Sequence, residues 1–360
     1  MRILALDIGT GTQDILLFDS AQTPENCIKL VMPSPTAVVA RRLSEATHRG
    51  SSLLLTGVIM GGGPSGRAMR RHVESGLRLY ATPEPARTLD DDLHEVERLG
   101  VTVVSEDEAA ALHVDERVEL RDLDLDAVRT ALHAFGAEAA WDGVAVAVLD
   151  HGAAPPGVSD RVFRFDYLRS VVERDPHLSA FFYLAQEVPE QLTRMRAVAA
   201  SHEVSQPLLL ADTGVAAAVG ASDDPEVDRH EHRVAANLGN AHTLAFHLGG
   251  SEVLGLFEHH TGALDTARLD EIIESLIAGS LTFEQVFEEG GHGAYVLQRA
   301  ETVPFVAVTG PRRALAAASA HTPYMAVPHG DMMITGCFGL VRGFAHKMRA
   351  WQEEIEAALA

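Results

Sequence analysis

Asp7 is the first residue placed to do chemistry. An apolar run, residues 3–6, ends in it, and Gly9, Thr10, Gly11, Thr12 and Gln13 follow before a second apolar run at 15–18. Glycine at 9 and 11 admits close backbone approach, and the threonines set hydroxyls beside exposed amides, so the turn can cradle a phosphate. Asp7 offers a hard carboxylate oxygen to a metal ion or its waters. The same residues also suit an ordinary hairpin with a polar tip. A second unit repeats the pattern: strand 234–236, a turn holding Asn237, Gly239, Asn240 and Thr243, and a return strand at 244–248. Two strand-glycine-strand units separated by most of the chain imply an internal duplication.

Three other places carry candidates. The continuous apolar run 144–149 ends in Asp150 and His151, and open parallel sheets bind ligands beyond the carboxyl ends of their strands. An Asp-His pair there can orient a hydroxyl or carboxylate, or can equally be a buried turn. The stretch 57–66 contains Gly61, Gly62 and Gly63. Its spacing imitates the phosphate loop of nucleoside triphosphatases, but Arg67 and Ala68 stand where that loop needs lysine and serine or threonine. It reads as a substrate-contacting turn or a plain strand-to-helix connector. Finally, strand 305–308 and a turn containing Gly310 open onto a helix at Arg312 and Arg313, whose amides could meet a nucleotide. Among the 18 histidines, His230 with His232 and His259 with His260 have spacings found in metal sites. With no cysteine or second ligand set placed to complete them, they read as solvated or hydrogen-bonded residues.

Positioning these groups requires alternating strands and helices. A strand at 27–32 and a helix at 37–47 precede a short strand at 51–56, and a helix runs on through Glu74. Residues 77–140 alternate strands at 78–81 and 101–104 with helices at 89–99 and 125–135. Asp90, Asp91 and Asp92 open one of these helices, where carboxylates favour the positive end of the dipole. Residues 162–202 read as helical, with Phe181, Phe182 and Tyr183 as core. Pro207 marks passage into a second half, where an apolar strand reaches Asp212 and a helix of small residues follows, Ala216 to Ala218 and Gly220. Helices are expected at 264–277 and 283–288, and a long C-terminal helix runs through Ala358. Gly336 and Gly339 give that last region a small-residue face to match Ala216 to Gly220.

A chain of 360 residues with 46% hydrophobic content can bury a large core, and its length suggests two domains. The formal charge of -22 disfavours nucleic acid and anionic membrane as partners, since phosphate would be repelled unless a basic patch intervened. No such patch is present; the arginine pairs at 70–71 and 312–313 are too short. Two cysteines, Cys27 and Cys337, far apart and in no CxxC arrangement, fit a reducing compartment. No signal-peptide pattern or membrane-length apolar run is present. The expected location is cytoplasmic.

The order of parts resembles the superfamily of actin, heat-shock chaperone ATPases and sugar kinases. DIGTGTQD at 7–14 looks like its first phosphate motif and NLGNAHT at 237–243 its second. ADTGVAAAVG at 211–220 and HGDMMITGCFG at 329–339 look like its two connecting helices, and VAVTGPRR at 306–313 its adenosine motif. Within the superfamily, MGGGPSGR, LDHG and NLGNAHT resemble a prokaryotic branch whose members often carry the label pyruvate formate-lyase activating protein. A radical activase needs three closely spaced cysteines for its cluster, and cysteines at 27 and 337 do not supply them; one cysteine per subunit could still bridge a homodimer.

The resemblance implies an α/β fold of two ribonuclease-H-like domains facing a nucleotide cleft. Domain I would cover 1–205, with an α/β insertion at about 77–140, domain II 206–340, and a C-terminal helix 341–360. It also implies ATP and Mg2+ as cofactors. Gly9, Thr10, Gly11, Thr12 and Gln13 would hold the terminal phosphates from one side and Asn237, Gly239, Asn240 and Thr243 from the other. Asp7 would order the ion, and Gly310 and Arg312 would flank adenine and ribose. Sugar kinases place a catalytic aspartate just before the first connecting helix, which points to Asp212 as the base, one position off their spacing. Asn237 stands where actin-like ATPases carry an acidic residue, which favours kinase-like chemistry. The expected function is therefore ATP-dependent phosphorylation of a small molecule bound near Gly61, Gly62, Gly63, Asp150 and His151. The alternatives are a nucleotide-gated ATPase or scaffold acting on a protein client, and a non-catalytic nucleotide-binding protein.

Overall fold

The computed structural model describes every residue of the chain except 203–205 and 301. Two six-stranded sheets carry the architecture, and each begins with an antiparallel meander that continues into parallel strands. In the first, the order from one edge is Ile28–Pro33, Thr12–Asp19, Arg2–Ile8, Gly143–Val148, Leu208–Ala211 and Phe182–Leu184. In the second it is Gly293–Val296, Glu252–His260, His242–Gly249, His232–Leu238, Phe305–Thr309 and Tyr324–Met325. The duplication extends to the turns. The Gly9 amide donates to the Thr12 carbonyl at 2.9 Å, and the Gly239 amide to the His242 carbonyl at 3.0 Å. Ile8 pairs with Gln13 and Leu238 with Thr243, so both four-residue turns close in the same register. The result is two α/β lobes of matching strand arrangement, with a further α/β unit inserted in the first lobe.

The central strands explain themselves. Residues 144–148 and 208–210 are apolar without alternation and essentially inaccessible, as parallel strands covered on both faces must be. The inserted unit is a parallel four-stranded sheet in the order Thr102–Val103, Leu79–Ala81, Leu53–Gly57 and Glu116–Leu120. It begins earlier than the expected 77, because the fully buried run at 53–55 is its inner strand rather than part of the first lobe's sheet.

Other expectations shift as well. The strand Leu208–Ala211 pairs with Gly143–Val148, so the first lobe's sheet continues past the expected boundary after 205; that boundary itself borders residues outside those described. The stretch 162–202 is not helical throughout. It contains the helices Asp160–Arg174 and Thr193–Ala200, and between them Phe182–Leu184 adds an antiparallel edge strand to Leu208–Ala211. The C-terminal helix is two helices, Thr335–Lys347 and Arg349–Ala358, broken at Met348, whose backbone is extended. The helix expected at Arg312 is a single 3-10 turn, Arg313–Ala316.

The chain passes from the first lobe to the second through the helix Thr213–Ala221 and returns through Thr335–Lys347, and these two helices cross. At the crossing backbone meets backbone: a Cβ on Gly220 would lie 1.8 Å from the Thr335 carbonyl oxygen, and one on Gly339 1.8 Å from that of Ala216. One continuous buried cluster joins Phe18, Phe182 and Phe338 to Phe246 and Leu256 of the second sheet, so the base of the cleft is a shared apolar core.

Above that core sits Arg164, 1% exposed. Its guanidinium lies 2.7 Å from Asp212 Oδ2 and donates to both Glu258 carboxylate oxygens at 3.1 Å and to the Asp150 carbonyl at 3.1 Å. Asp212 and Asp150 end strands of the first sheet and Glu258 belongs to the second, so one cation ties the two lobes. Burial by itself raises the Glu258 carboxyl; Arg164, with smaller help from His292 and His242, overrides it and holds the group well below the usual range.

Two outcomes follow from this construction. Gly339→Ala loses stability by about 1–3 kcal/mol, because the opposing atom is backbone and cannot turn aside; an unchanged denaturation midpoint would show that the crossing can spread. Arg164→Leu strands two buried carboxylates and costs about 3–5 kcal/mol, read by denaturant unfolding, and a loss below about 1 kcal/mol would mean that the two anions find other partners.

Candidate functional site

The carboxyl ends of the first sheet's parallel strands and the two matching turns open into one cavity of about 1130 Å³ between the lobes. That exceeds the ~300–1,000 Å³ typical of a pocket for one drug-sized molecule. Asp7, Gly9, Thr10 and Thr12 line it from the first lobe, and Asn237, Gly239, Asn240 and Gly310 from the second. The insertion contributes Gly61, Gly62 and Gly63, and the strand ends contribute Asp150, His151 and Asp212. Residues from three separate units therefore meet on one space.

Four expected residues, Gly11, Gln13, Thr243 and Arg312, are not among those lining the cavity. Thr243 is fully buried behind the second turn and bonds Thr261 at 3.0 Å. Gln13 donates to the Pro33 carbonyl at 3.1 Å, on the neighbouring strand. Arg312 is exposed and lies outside the lining residues, and the 3-10 turn beside it is too short to present a row of helix amides. Gly11 sits at the rim, where an added Cβ would come within 2.7 Å of the Asn240 side-chain nitrogen. The two turns thus face each other at the mouth, within a side chain's width.

Asp7 is confined from two sides. Thr213 donates its hydroxyl to Oδ1 at 2.5 Å, and Gly336, at the start of the returning helix, lies so close that a Cβ would fall 2.0 Å from Oδ2. Asp14, which the sequence reading passed over, is the residue paired with Asp7 across the hairpin. It is 8% exposed, and its Oδ1 is buried without a hydrogen-bond partner among the described residues. Burial, Asp7's proximity to Asp212 and Asp14's proximity to Asp7 raise the Asp7 carboxyl to about 7 and the Asp14 carboxyl to about 8. Two close, poorly solvated carboxylates with an orphaned oxygen fit a hard divalent cation. Glycine at 239 fits a close backbone cradle, since a Cβ there would meet the His242 carbonyl at 2.7 Å.

Asp212 caps the helix Thr213–Ala221, accepting from the Gly214 amide at 2.9 Å. Burial pushes its carboxyl upward and Arg164 pulls it back, with the net shift upward. Its Oδ2 lies within ion-pair distance of Arg164 but out of alignment for a hydrogen bond. Asp150 is differently employed. Both of its carboxylate oxygens take backbone amides, from Gly152 at 2.9 Å and Met195 at 2.8 Å, so it fixes the loop that carries His151.

The glycine turn of the insertion is anchored by an ion pair absent from the sequence reading. Arg194 donates to Asp122 at 2.7 and 3.0 Å and to the Leu149 carbonyl at 2.7 Å. The Gly61 amide donates to the same Asp122 carboxylate at 3.3 Å, and a Cβ on Gly61 would strike the Arg194 guanidinium at 2.7 Å. Arg194 thereby locks the turn to the end of the strand that delivers Asp150.

Both cysteines are free and buried. Cys337 packs beneath the hairpin, donating toward the Asp14 and Ala5 carbonyls. Neither thiol is presented for a cluster. Among the described residues, no helix is long and apolar enough to cross a membrane.

In sequence, no curated protein matches the chain. Among solved structures, it is similar to the ethanolamine utilization protein EutJ from Carboxydothermus hydrogenoformans, at 12% identity over 94% of this chain and 89% of that one, with a TM-score of 0.33. It is also similar to the activator of 2-hydroxyisocaproyl-CoA dehydratase from Clostridium difficile with bound ADPNP, at 9% identity over 98% of each chain and a TM-score of 0.32. A ROK hexokinase from Thermus thermophilus is 12% identical over 100% of this chain and 97% of that one, with a TM-score of 0.28. Likenesses this distant carry no inference about activity. Residues 60–315, which include the glycine turn, both strand-end aspartates and the second phosphate-like turn, match one family throughout, and the chain belongs to that family, described as "Putative pyruvate format-lyase activating enzyme (DUF1786)".

Proposed function

We propose that the protein binds ATP with a divalent ion in the cleft between its lobes and transfers the terminal phosphoryl group to a small molecule. The observation that carries this reading is the pair of matched turns, one from each lobe, that meet at Gly11 and Asn240 above the buried carboxylates Asp7 and Asp14. On this reading Gly9, Thr10 and Thr12 grip the terminal phosphates from one side, and Gly239 and Asn240 from the other. Asp7 and Asp14 hold the ion or its waters, which would supply charge neutralisation for the transferring group. Thr213 orients Asp7, and Gly336 leaves room for it. Gly310 borders the nucleoside, and the exposed position of Arg312 assigns it at most a rim contact.

The size of the cavity leaves space for an acceptor beside the nucleotide, between Gly61, Gly62, Gly63 and His151. Asp150 shapes that region by holding its loop. Asp212 is the base of this proposal: it lies at the strand end facing the cavity, and its upward shift improves it as a proton acceptor near neutrality. Phosphoryl transfer otherwise needs positioning more than covalent help.

One observation favours a second reading, a nucleotide-gated ATPase acting on a protein client. The Asp212 carboxylate is engaged by Arg164 and the Gly214 amide, and a committed carboxylate suits a structural relay between lobes better than proton abstraction.

Incubation with ATP and Mg2+ against a metabolite library, with phosphate release and transfer followed together, separates the two. The kinase reading expects transfer to one metabolite class, lost by roughly 10²–10⁴-fold in Asp212→Asn with nucleotide affinity preserved. Slow hydrolysis without transfer, unaltered by Asp212→Asn, selects the second reading. In either case Asp7→Ala and Asp14→Ala abolish the Mg2+-dependent part of ATP binding measured by calorimetry; full retention in both variants would remove the carboxylate pair from the site.

A further inference from the structure

Four histidines from distant parts of the chain converge at the inner end of the cavity. His151 follows the strand Gly143–Val148 of the first lobe. His242 closes the second phosphate-like turn, His260 ends the strand Glu252–His260, and His292 precedes Gly293–Val296. One ring nitrogen each from His151, His242 and His292 lies within 4.8 Å of the others. His260 stands beside this trio, its ring centroid 5.1 Å from that of His242 and 4.9 Å from that of His292. His292 is fully buried.

The proton inventory of this quartet does not close by itself. His260 Nδ1 donates to the Gly290 carbonyl at 2.7 Å, which in the neutral ring leaves Nε2 as a bare lone pair. Facing it at 3.3 Å is His292 Nε2. If His292 carries its proton there, its Nδ1 lone pair is left toward Glu258 Oε2, an anionic acceptor 3.5 Å away. If the proton is on Nδ1, two lone pairs confront each other. A neutral His292 ring, with one proton to give, cannot satisfy both contacts. Among the described residues, His242 Nε2 is buried with no hydrogen-bond partner, as is His292 Nδ1. The group therefore has more bare acceptors than protons to share.

We propose that this quartet is a binding site for a divalent transition-metal ion of zinc type, held by His242, His260 and His292 from the second lobe and His151 from the first. Neutral imidazoles are the ligands such ions prefer over Mg2+, which takes oxygen. The Nε2–Nε2 separation of 3.3 Å equals the edge of a tetrahedron whose centre lies ~2.0–2.1 Å from each nitrogen, the usual zinc–imidazole bond. The surroundings match a metal-bound histidine's needs: the Gly290 carbonyl fixes His260, and the Glu258 carboxylate stands beside His292 Nδ1, each orienting a ring from outside the ligand set. His151 and His242 line the cavity, whereas His260 and His292 lie behind them, so a bound ion keeps one side toward the acceptor region. The site is separate from Asp7 and Asp14, whose oxygens favour a hard ion, and it stands whether or not the cleft transfers phosphate.

The test uses the whole protein stripped of metal by chelator and dialysis, then titrated with Zn2+ and, separately, Co2+. The expected result is about one equivalent of zinc bound per chain, with a rise in unfolding temperature, and a Co2+ derivative whose visible absorption has the intensity of tetrahedral nitrogen coordination. His242→Gln and His292→Gln, which keep side-chain volume, each weaken zinc binding by at least about tenfold, while the exposed control His133→Gln leaves it unchanged. Stripped wild type that takes up no zinc overturns the site. So does zinc binding that survives both substitutions, or a Co2+ spectrum of octahedral intensity. A substitution that prevents folding leaves the wild-type Co2+ spectrum as the deciding measurement.

Discussion

A single buried guanidinium sets the terms for this molecule. Arg164 lies where the two lobes meet and faces carboxylates from both, Asp212 on one side and Glu258 on the other. Removed from water, each of these charges would be costly alone. Together they are tolerable only if the lobes keep their relative placement, so the ion network makes lobe geometry a condition of its own stability. The same arginine donates to the Asp150 carbonyl and so also steadies the loop that presents His151. Asp212, Glu258 and the loop that bears His151 are thereby tied to one side chain.

Much of the fold can be read from the linear chain because the duplication is local. Each glycine turn lies between two apolar runs, and the two turns share length and hydrogen-bond register. Asp14 was within reach of the same reasoning, since counting back across a four-residue turn pairs it with Asp7. Arg164 was not. In a helix whose neighbours are Asp160, Arg161 and Asp166, an arginine reads as a solvent-facing residue, and only the partner lobe reveals that it is enclosed. The three-residue edge strand Phe182–Leu184 was hidden in the same way, because its apolar run is compatible with helix until a neighbouring strand claims it.

The histidines illustrate the limit most clearly. Adjacent pairs such as His259 and His260 attract attention in a sequence, yet these two point differently: His260 joins the quartet, whereas His259 turns away as alternation along a strand requires. The members of the cluster are spread from 151 to 292, and no spacing rule links them. What brings them together is the facing of two sheets, a property of tertiary structure alone. The anchoring of Gly61 by Arg194 and Asp122 has the same origin, with an inserted unit fastened to its host by residues some seventy positions apart.

The crossing of Thr213–Ala221 and Thr335–Lys347 has a mechanical consequence. With Gly220 and Gly339 bringing backbone against backbone, and a shared apolar core beneath, the crossing opposes sliding of one helix along the other more than rotation about the contact. Any relative rotation of the lobes would turn about this crossing and would work against the Arg164 network that spans them. Displacement grows with distance from the pivot, so a rotation too small to disturb the packed base is magnified at the rim where Gly11 and Asn240 approach. The cleft would then behave as a lever whose short arm is the packed crossing and whose long arm carries the two matching glycine turns.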